Sequence, residues 1–250
     1  MLSRSSTAAV VAALVVLAAA GCGGEQSKAT VTEQSFGSGP NRVWIFRPPG
    51  KPTSVVLFLH GQGGVRETTP FYHRPWLEHL ARKGSIVLYP RYELIPGAPG
   101  AIPHVANGLR TAQAHADLRS LPLLAIGYSR GGWLVFPSAL AAAHDGLKLR
   151  AILSVFPVTP EQPFDFRRMP KGTLIDVLAG DRDWVVGKVG AVQIFLLLGL
   201  ARYPGNLTSA KLVRSHGDFV ASHLSVLETS PGARAAYWAR ADRLLGRITR

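Results

Sequence analysis

The sequence predicts an α/β fold in which a doubly wound, mostly parallel sheet carries helices on both faces. Short apolar runs typical of strands occur at residues 43–46, 55–59, 86–89, 121–126, 151–156, 173–178 and 211–215. Helical patterns lie between most of them, at residues 71–83, 105–119, 132–143 and 191–200, and an amphipathic helix follows at 233–248. Strands that alternate with helices of this length indicate βαβ units and a parallel sheet.

Length and composition agree with a single domain. The chain has 250 residues, of which 47% are hydrophobic, enough for a substantial core. The first strand is predicted to belong to an antiparallel pair. The segment 191–200 is apolar nearly all round and too short to span a bilayer, so it is predicted to be a buried helix. No long insertion separates the strands at 151–156 and 173–178, and we expect no large lid domain.

The most informative motif is Gly-Tyr-Ser-Arg-Gly at residues 127–131, between a predicted strand and a predicted helix. A Gly-x-Ser-x-Gly sequence in this position is typical of the nucleophile elbow of a serine hydrolase. The turn must be tight to expose the hydroxyl of Ser129, so side chains at 127 and 131 would collide with their surroundings. The helix that follows also directs its first amides toward this point. Ser129 is therefore the candidate nucleophile, and an ordinary glycine-rich turn is the alternative.

A nucleophilic serine requires a base and an acid that orients the base. Asp181 and Asp183 both lie in the loop after the strand at 173–178, where a carboxylate can reach an imidazole while its backbone stays anchored. His216 and His223 both follow the last predicted strand. His216 comes before the chain has turned over the elbow, whereas His223 lies deeper in the loop. We predict His223 as the base and keep His216 as the alternative. The remaining histidines in helical patterns are predicted to be surface or helix-face residues: His73, His79, His115 and His144.

The predicted central strand at 55–59 ends in His-Gly-Gln-Gly-Gly at residues 60–64. A His-Gly turn after this strand resembles the loop that donates one oxyanion amide, and the residue after the nucleophile donates the second. This assigns the backbone N–H groups of Gln62 and Arg130 to the oxyanion hole. The glycines allow the backbone to approach the substrate oxygen. His60 is expected to hold the loop rather than to act as a base.

These motifs resemble the α/β-hydrolase superfamily, and within it the small secreted esterases and dienelactone-hydrolase-like enzymes, over about residues 41–250. The resemblance implies the triad order serine, acid, histidine along the chain. In such hydrolases the acid commonly lies three residues after the glycine that ends the strand, with an apolar residue a few positions on. Gly180, Asp183 and Val186 match this pattern, so the resemblance favours Asp183 as the acid. Asp181 would then form a turn with its own loop backbone.

The N-terminal residues 1–21 are typical of a secretory leader. Arg4 precedes an apolar run at 8–20, which is shorter than a membrane span and suits a signal peptide. The run ends in Ala-Ala-Gly before Cys22, the only cysteine, which resembles a bacterial lipoprotein cleavage site and implies lipid attachment at Cys22. Ordinary signal-peptidase cleavage nearby, with secretion, is the alternative. Residues 22–40 are polar and Gly/Ser-rich and are predicted to form a flexible tether to a catalytic domain at 41–250.

The formal net charge is +13, but the lysines and arginines are scattered and form no nucleic-acid motif. We therefore expect no nucleic-acid partner, and an anionic envelope surface or anionic substrate agrees better with the charge. No His/Cys cluster or phosphate loop is present in the sequence, and no cofactor or metal is predicted.

The sequence thus predicts an extracytoplasmic, lipid-anchored serine hydrolase that cleaves small carboxylic esters through an acyl-enzyme on Ser129. A peptidase, thioesterase or lactone hydrolase with the same triad is the main alternative, because the same residues serve all these leaving groups. A hydrolase fold without catalytic activity, acting as an envelope lipoprotein, is the alternative from another class.

Overall fold

The computed structural model describes residues 30–64 and 66–250. Its strands are β1 (Thr32–Phe36), β2 (Val43–Arg47), β3 (Ser54–Leu59), β4 (Ser85–Pro90), β5 (Pro122–Tyr128), β6 (Lys148–Val155), β7 (Leu174–Gly180) and β8 (Thr208–Val213). Its helices are α1 (Arg74–Arg82), α2 (Ala101–His115), α3 (Arg130–His144), α4 (Val189–Leu200), α5 (Pro231–Ala233) and α6 (Ala239–Ile248), with a π-helical turn (Arg234–Trp238) joining α5 to α6. The predicted leader at 1–21 and the candidate lipidation site Cys22 lie outside the described residues.

The eight strands form one open sheet in the order β1-β2-β4-β3-β5-β6-β7-β8. Strands β3 to β8 pair in parallel, whereas β2 runs antiparallel to both β1 and β4. All residues of β3 and β4 are buried, as expected of parallel strands covered on both faces. The predicted mostly parallel sheet is therefore confirmed. The antiparallel pairing predicted for the strand at 43–46, which is β2, is confirmed as well.

Helices cover both faces of the sheet and create two apolar layers. Residues of α2, α3 and α4, including Leu109, Trp133 and Ile194, pack on one face. Residues of α1 and α6, including Trp76 and Leu244, pack on the other. Each layer buries large side chains against the central strands.

The structure corrects three expectations. The predicted tether reached residue 40, but Thr32–Phe36 form the edge strand β1, because their backbone pairs with β2. The predicted buried helix α4 is buried on one side only, and Leu196 and Leu200 are 60% and 80% exposed. His73 was expected to be a surface or helix-face residue, but it lies at the N-cap of α1, is only 2% exposed and lies beside the ring of Phe58.

The carboxyl ends of the parallel strands bring the predicted site residues to one edge of the sheet. Ser129 directly follows β5, Asp183 follows β7, and His223 lies in the segment after β8. In open α/β sheets, ligands bind at this edge. The connection between β6 and β7 contains only a short 3₁₀ turn (Phe166–Arg168), so no lid domain lies there. Within the described part of the chain, no helix has the length and apolar character needed to cross a membrane.

Candidate active site

Ser129 occupies a strained turn between β5 and α3. Its φ is 56° and its ψ is −121°, in a region that non-glycine residues rarely adopt. A Cβ atom on Gly127 would lie 2.0 Å from the carbonyl oxygen of Gly131, and one on Gly131 would lie 2.3 Å from that of His60. Both positions therefore require glycine, which explains the spacing of the pentapeptide.

The structure brings three predicted residues into one hydrogen-bonded chain. The Oγ atom of Ser129 lies 2.9 Å from Nε2 of His223. The Nδ1 atom of the same imidazole lies 2.9 Å from Oδ2 of Asp183. All three residues are buried, with at most 7% of their surface exposed. This is the arrangement in which a histidine can take the proton of a serine while a carboxylate fixes its tautomer.

The carboxylate of Asp183 is oriented by its own loop. Its Oδ1 atom accepts hydrogen bonds from the backbone N–H groups of Val185 (2.9 Å) and Val186 (3.1 Å). These bonds leave Oδ2 directed at His223, and they replace the hydration that the buried carboxylate has lost.

The two alternative residues have different partners. The carboxylate of Asp181 accepts hydrogen bonds from the backbone N–H and the hydroxyl of Ser215, and these bonds hold its pKa below the usual value. The Ser215 hydroxyl in turn accepts a bond from the backbone N–H of Ala221. Asp181 therefore fixes the loop that leads to His223. His216 is exposed, and its backbone pairs with that of Phe219.

The His-Gly loop lies directly against Ser129, the candidate nucleophile. A Cβ atom on Gly61 would lie 3.1 Å from Cβ of Ser129, so a side chain there would fit only if its neighbours moved by a few tenths of an ångström. The N–H of Gly131 donates to the carbonyl of His60, which joins this loop to the start of α3. As the first residue of α3, Arg130 has an amide without an intrahelical acceptor. The backbone thus brings the regions of both predicted oxyanion donors, Gln62 and Arg130, to Ser129.

His60 supports this loop. Its ring stacks on that of Tyr92 at 4.1 Å, and Nδ1 donates to the carbonyl of Gly61. The hydroxyl of Tyr92 donates to the carbonyl of His60. Burial lowers the pKa of His60 to about 4, so the ring is neutral near pH 7. This neutral, fully packed ring has the structural role that the sequence predicted.

Sequence reasoning did not identify two sets of contacts made by the neighbours of Ser129. The guanidinium of Arg130 pairs with the carboxylates of Glu93 and Glu161, which clamps the loop after β4 and the loop after β6 to the start of α3. Burial raises the pKa of Glu93 despite the neighbouring Arg130. The hydroxyl of Tyr128 donates to the backbone carbonyl of His223. The pentapeptide contains both Tyr128 and Arg130, but their partners are 31 to 95 positions away in the chain.

Comparisons with known proteins show the fold. No family model matches the chain, and no curated protein matches it in sequence. Esterase B from Lactobacillus rhamnosis, solved with a C4-C4 SN3 tributyrin phosphonate inhibitor, is 15% identical at a TM-score of 0.64, covering 88% of this chain and 86% of that one. A thermostable esterase from Pseudomonas putida ECU1011 is 19% identical at a TM-score of 0.62, covering 89% and 84%. A protein assigned as a dienelactone hydrolase from Klebsiella pneumoniae is 16% identical at a TM-score of 0.59, covering 87% and 99%.

Proposed function

We propose that this chain with the α/β-hydrolase fold is a serine hydrolase that cleaves carboxylic esters through an acyl-enzyme on Ser129. One observation carries the proposal: the hydrogen-bonded chain from Asp183 through His223 to Ser129, at the edge where the fold binds ligands. The strained φ of Ser129 adds support, because backbone strain of this kind concentrates at functional sites.

In the proposed reaction, Nε2 of His223 takes the proton of Ser129 as Oγ attacks the ester carbonyl. Asp183 holds the imidazole in the required tautomer and stabilises the imidazolium that forms. The backbone N–H groups of Gln62 and Arg130 bind the oxyanion of the tetrahedral intermediate. The imidazolium then protonates the leaving alcohol, and His223 activates a water molecule that releases the acid and restores Ser129.

Small esters are the favoured substrate class. The structurally similar proteins bear the names of esterases, and one was solved with a tributyrin phosphonate inhibitor. The segment between β6 and β7 contains no lid domain that would enclose a long acyl chain. Thioesters, lactones and peptide bonds are the competing substrates for the same triad, and a panel of these compounds will rank them.

The test compares the activity of two serine variants, one at the N-cap of α3 and one within the helix. Ser129→Ala should lower turnover of p-nitrophenyl acetate by on the order of 10⁴ to 10⁶, as the loss of a triad member does in related chemistry. Ser138→Ala is the matched control, because Ser138 is buried in α3 and its hydroxyl has no hydrogen-bond partner in the described structure. Near-normal turnover in a folded Ser129→Ala protein would exclude the proposed function.

We also propose that the chain is anchored outside the cytoplasmic membrane through a lipid on Cys22. The apolar run at 8–20 and the small residues before Cys22 support this location. Cys22→Ser should abolish incorporation of radiolabelled palmitate in the producing cell. Equal labelling of both proteins would exclude Cys22 as the modified residue and would leave the catalytic proposal intact.

A further inference from the structure

Helix α4 presents an apolar stripe to solvent. Val189, Val192, Leu196 and Leu200 follow the i, i+3, i+7, i+11 spacing of one helix face, and each is more than half exposed. Only the opposite side of α4, which includes Ile194, packs into the core. A contiguous exposed apolar surface of this kind marks an interaction site more often than isolated exposed side chains do.

The stripe continues into the loop that precedes the helix. Trp184 is 84% exposed and Val185 is 69% exposed, and both directly follow the candidate catalytic acid Asp183. We call the combined surface the α4 face, and it consists of Trp184, Val185, Val189, Val192, Leu196 and Leu200. It therefore reaches from the outer side of the sheet to the edge that carries the triad.

An exposed cation flanks the α4 face at each end of the helix. Lys188 is the N-cap of α4 and Arg202 follows its C-cap, so an exposed cation lies at each end of the stripe. From residue 184 to residue 217 the sequence contains no aspartate or glutamate. Asp165 lies near the C-terminal end of α4, in the same groove as Leu200, and it is already paired with Arg167.

This charge pattern decides between occupants. In a symmetric dimer the same patch would face itself, so Lys188 and Arg202 would meet cations without compensating acids. An anionic lipid surface instead offers phosphates to these cations and an apolar layer to the stripe. Tryptophan also favours the boundary between the headgroups and the hydrocarbon.

We propose that the α4 face docks onto the surface of an anionic lipid bilayer. The apolar side chains and Trp184 enter the headgroup boundary, while Lys188 and Arg202 contact lipid phosphates. The docked orientation places the triad edge of the sheet beside the bilayer. This inference does not depend on the proposed ester hydrolysis, because it rests on exposure and charge at α4 alone.

The test uses quenching of Trp184 by lipids brominated on their acyl chains. The full chain is mixed with vesicles of brominated phosphatidylglycerol and phosphatidylcholine, or of phosphatidylcholine alone. A Trp184→Phe protein gives the background from the other tryptophans. We expect quenching of Trp184 on the anionic vesicles, and its loss in the Val192→Glu/Leu196→Glu protein. Neutralising one cation, as in Lys188→Gln or Arg202→Gln, should weaken binding about fivefold.

Phe71→Glu is the matched control, because Phe71 is 56% exposed and precedes α1 on the opposite face of the sheet. Brominated lipids should quench the fluorescence of the Phe71→Glu protein as strongly as that of the parent chain. If the apolar N-terminal segment inserts into the vesicles, it does so in every variant. A difference in quenching between variants therefore reports contact of Trp184 with the lipid and not attachment alone. The substituted residues are exposed, and circular dichroism will confirm that each variant folds.

Three outcomes would overturn the proposal. If anionic brominated vesicles do not quench the fluorescence of Trp184, the α4 face does not enter the bilayer. The same conclusion follows if they quench the Val192→Glu/Leu196→Glu protein as strongly as the parent chain. A dimer seen by light scattering without vesicles, and dissociated by Leu196→Glu, would assign the face to a second copy. Protection of Trp184 from iodide in a vesicle-free monomer would assign it to another segment of the same chain.

Discussion

The phenol of Tyr128 donates a hydrogen bond of 3.0 Å to the backbone carbonyl of His223. Tyr128 directly precedes Ser129, so a single turn presents the candidate nucleophile and also fixes the loop of the candidate base. The two rings lie 5.0 Å apart, and burial raises the pKa of Tyr128, which keeps the phenol neutral and able to donate. Tyr128 is therefore a positioning residue for His223.

Tyr128→Phe should lower kcat by about two- to tenfold, which corresponds to a hydrogen bond worth roughly 0.5–1.5 kcal/mol. The substrate does not contact this hydroxyl in the proposed reaction, so KM should change little. Steady-state kinetics on p-nitrophenyl acetate will separate the two parameters. An unchanged kcat, or a change confined to KM, would show that the bond does not position His223.

The two aspartates after β7 form a matched pair. Asp183→Asn should lower kcat by about 10⁴, because the amide no longer fixes the tautomer of His223. Asp181→Asn should cost far less activity and should act mainly on stability, because Asp181 holds Ser215 and not the imidazole. Kinetics together with thermal melts will distinguish the two effects. A larger loss of kcat in folded Asp181→Asn would reverse the assignment of the acid.

The two histidines after β8 form the corresponding pair for the base. His223→Ala should lower kcat nearly as far as Ser129→Ala, because the two residues act as one unit. His216→Ala should leave kcat close to that of the parent, because His216 is exposed and its backbone and ring contact Phe219 rather than Ser129 or Asp183. Collapse of kcat in His216→Ala with an active His223→Ala would move the base to His216.

Two buried histidines predict how stability depends on pH. Burial lowers the pKa of His73 to about 3 and that of His60 to about 4. In the unfolded chain these histidines take up a proton near pH 6.5, whereas in the folded chain they do so only at lower pH. Acidification therefore favours the unfolded state. The free energy of unfolding should therefore be fully retained above pH 6.5. Between about pH 6.5 and pH 4 it should fall by up to about 1.4 kcal/mol per pH unit for each histidine.

Chemical denaturation at several pH values measures this slope, and His73→Phe provides the comparison. Neither ring nitrogen of His73 has a hydrogen-bond partner in the described structure, and its ring lies among Phe58, Tyr89 and Tyr128. Phenylalanine can replace it without losing a polar contact, and the variant should show a shallower slope below pH 6.5. Identical slopes in the two proteins would mean that His73 does not titrate on unfolding.

The sequence predicted the sheet well because buried parallel strands leave continuous apolar runs, as in β3 and β5. It placed Ser129 and Asp183 just after strands and His223 deep in the loop after the last strand, because the chemistry requires these groups to meet at one edge of the sheet. Strand β1 was missed because four of its five residues are polar and exposed, and only pairing with β2 makes them a strand. Local sequence could not distinguish such a segment from a tether.

Helix α4 shows another limit of sequence reasoning. A helix that is apolar all round has no polar face to indicate its orientation, so its exposed side was unpredictable. The clamp of Arg130 on Glu93 and Glu161 was missed for a different reason. These charges are separated by more than 30 residues, and only the tertiary fold brings the loops together.

Covalent labelling of the chain by a fluorophosphonate shows directly whether Ser129 is an activated nucleophile. The probe phosphonylates a serine only when a neighbouring base and an oxyanion hole activate it, and mass spectrometry of the peptides identifies the modified residue. We predict a single adduct on Ser129, which is absent from Ser129→Ala and strongly slowed in His223→Ala. A folded chain that remains unlabelled, or that carries the adduct on another serine, would show that Ser129 is not the nucleophile.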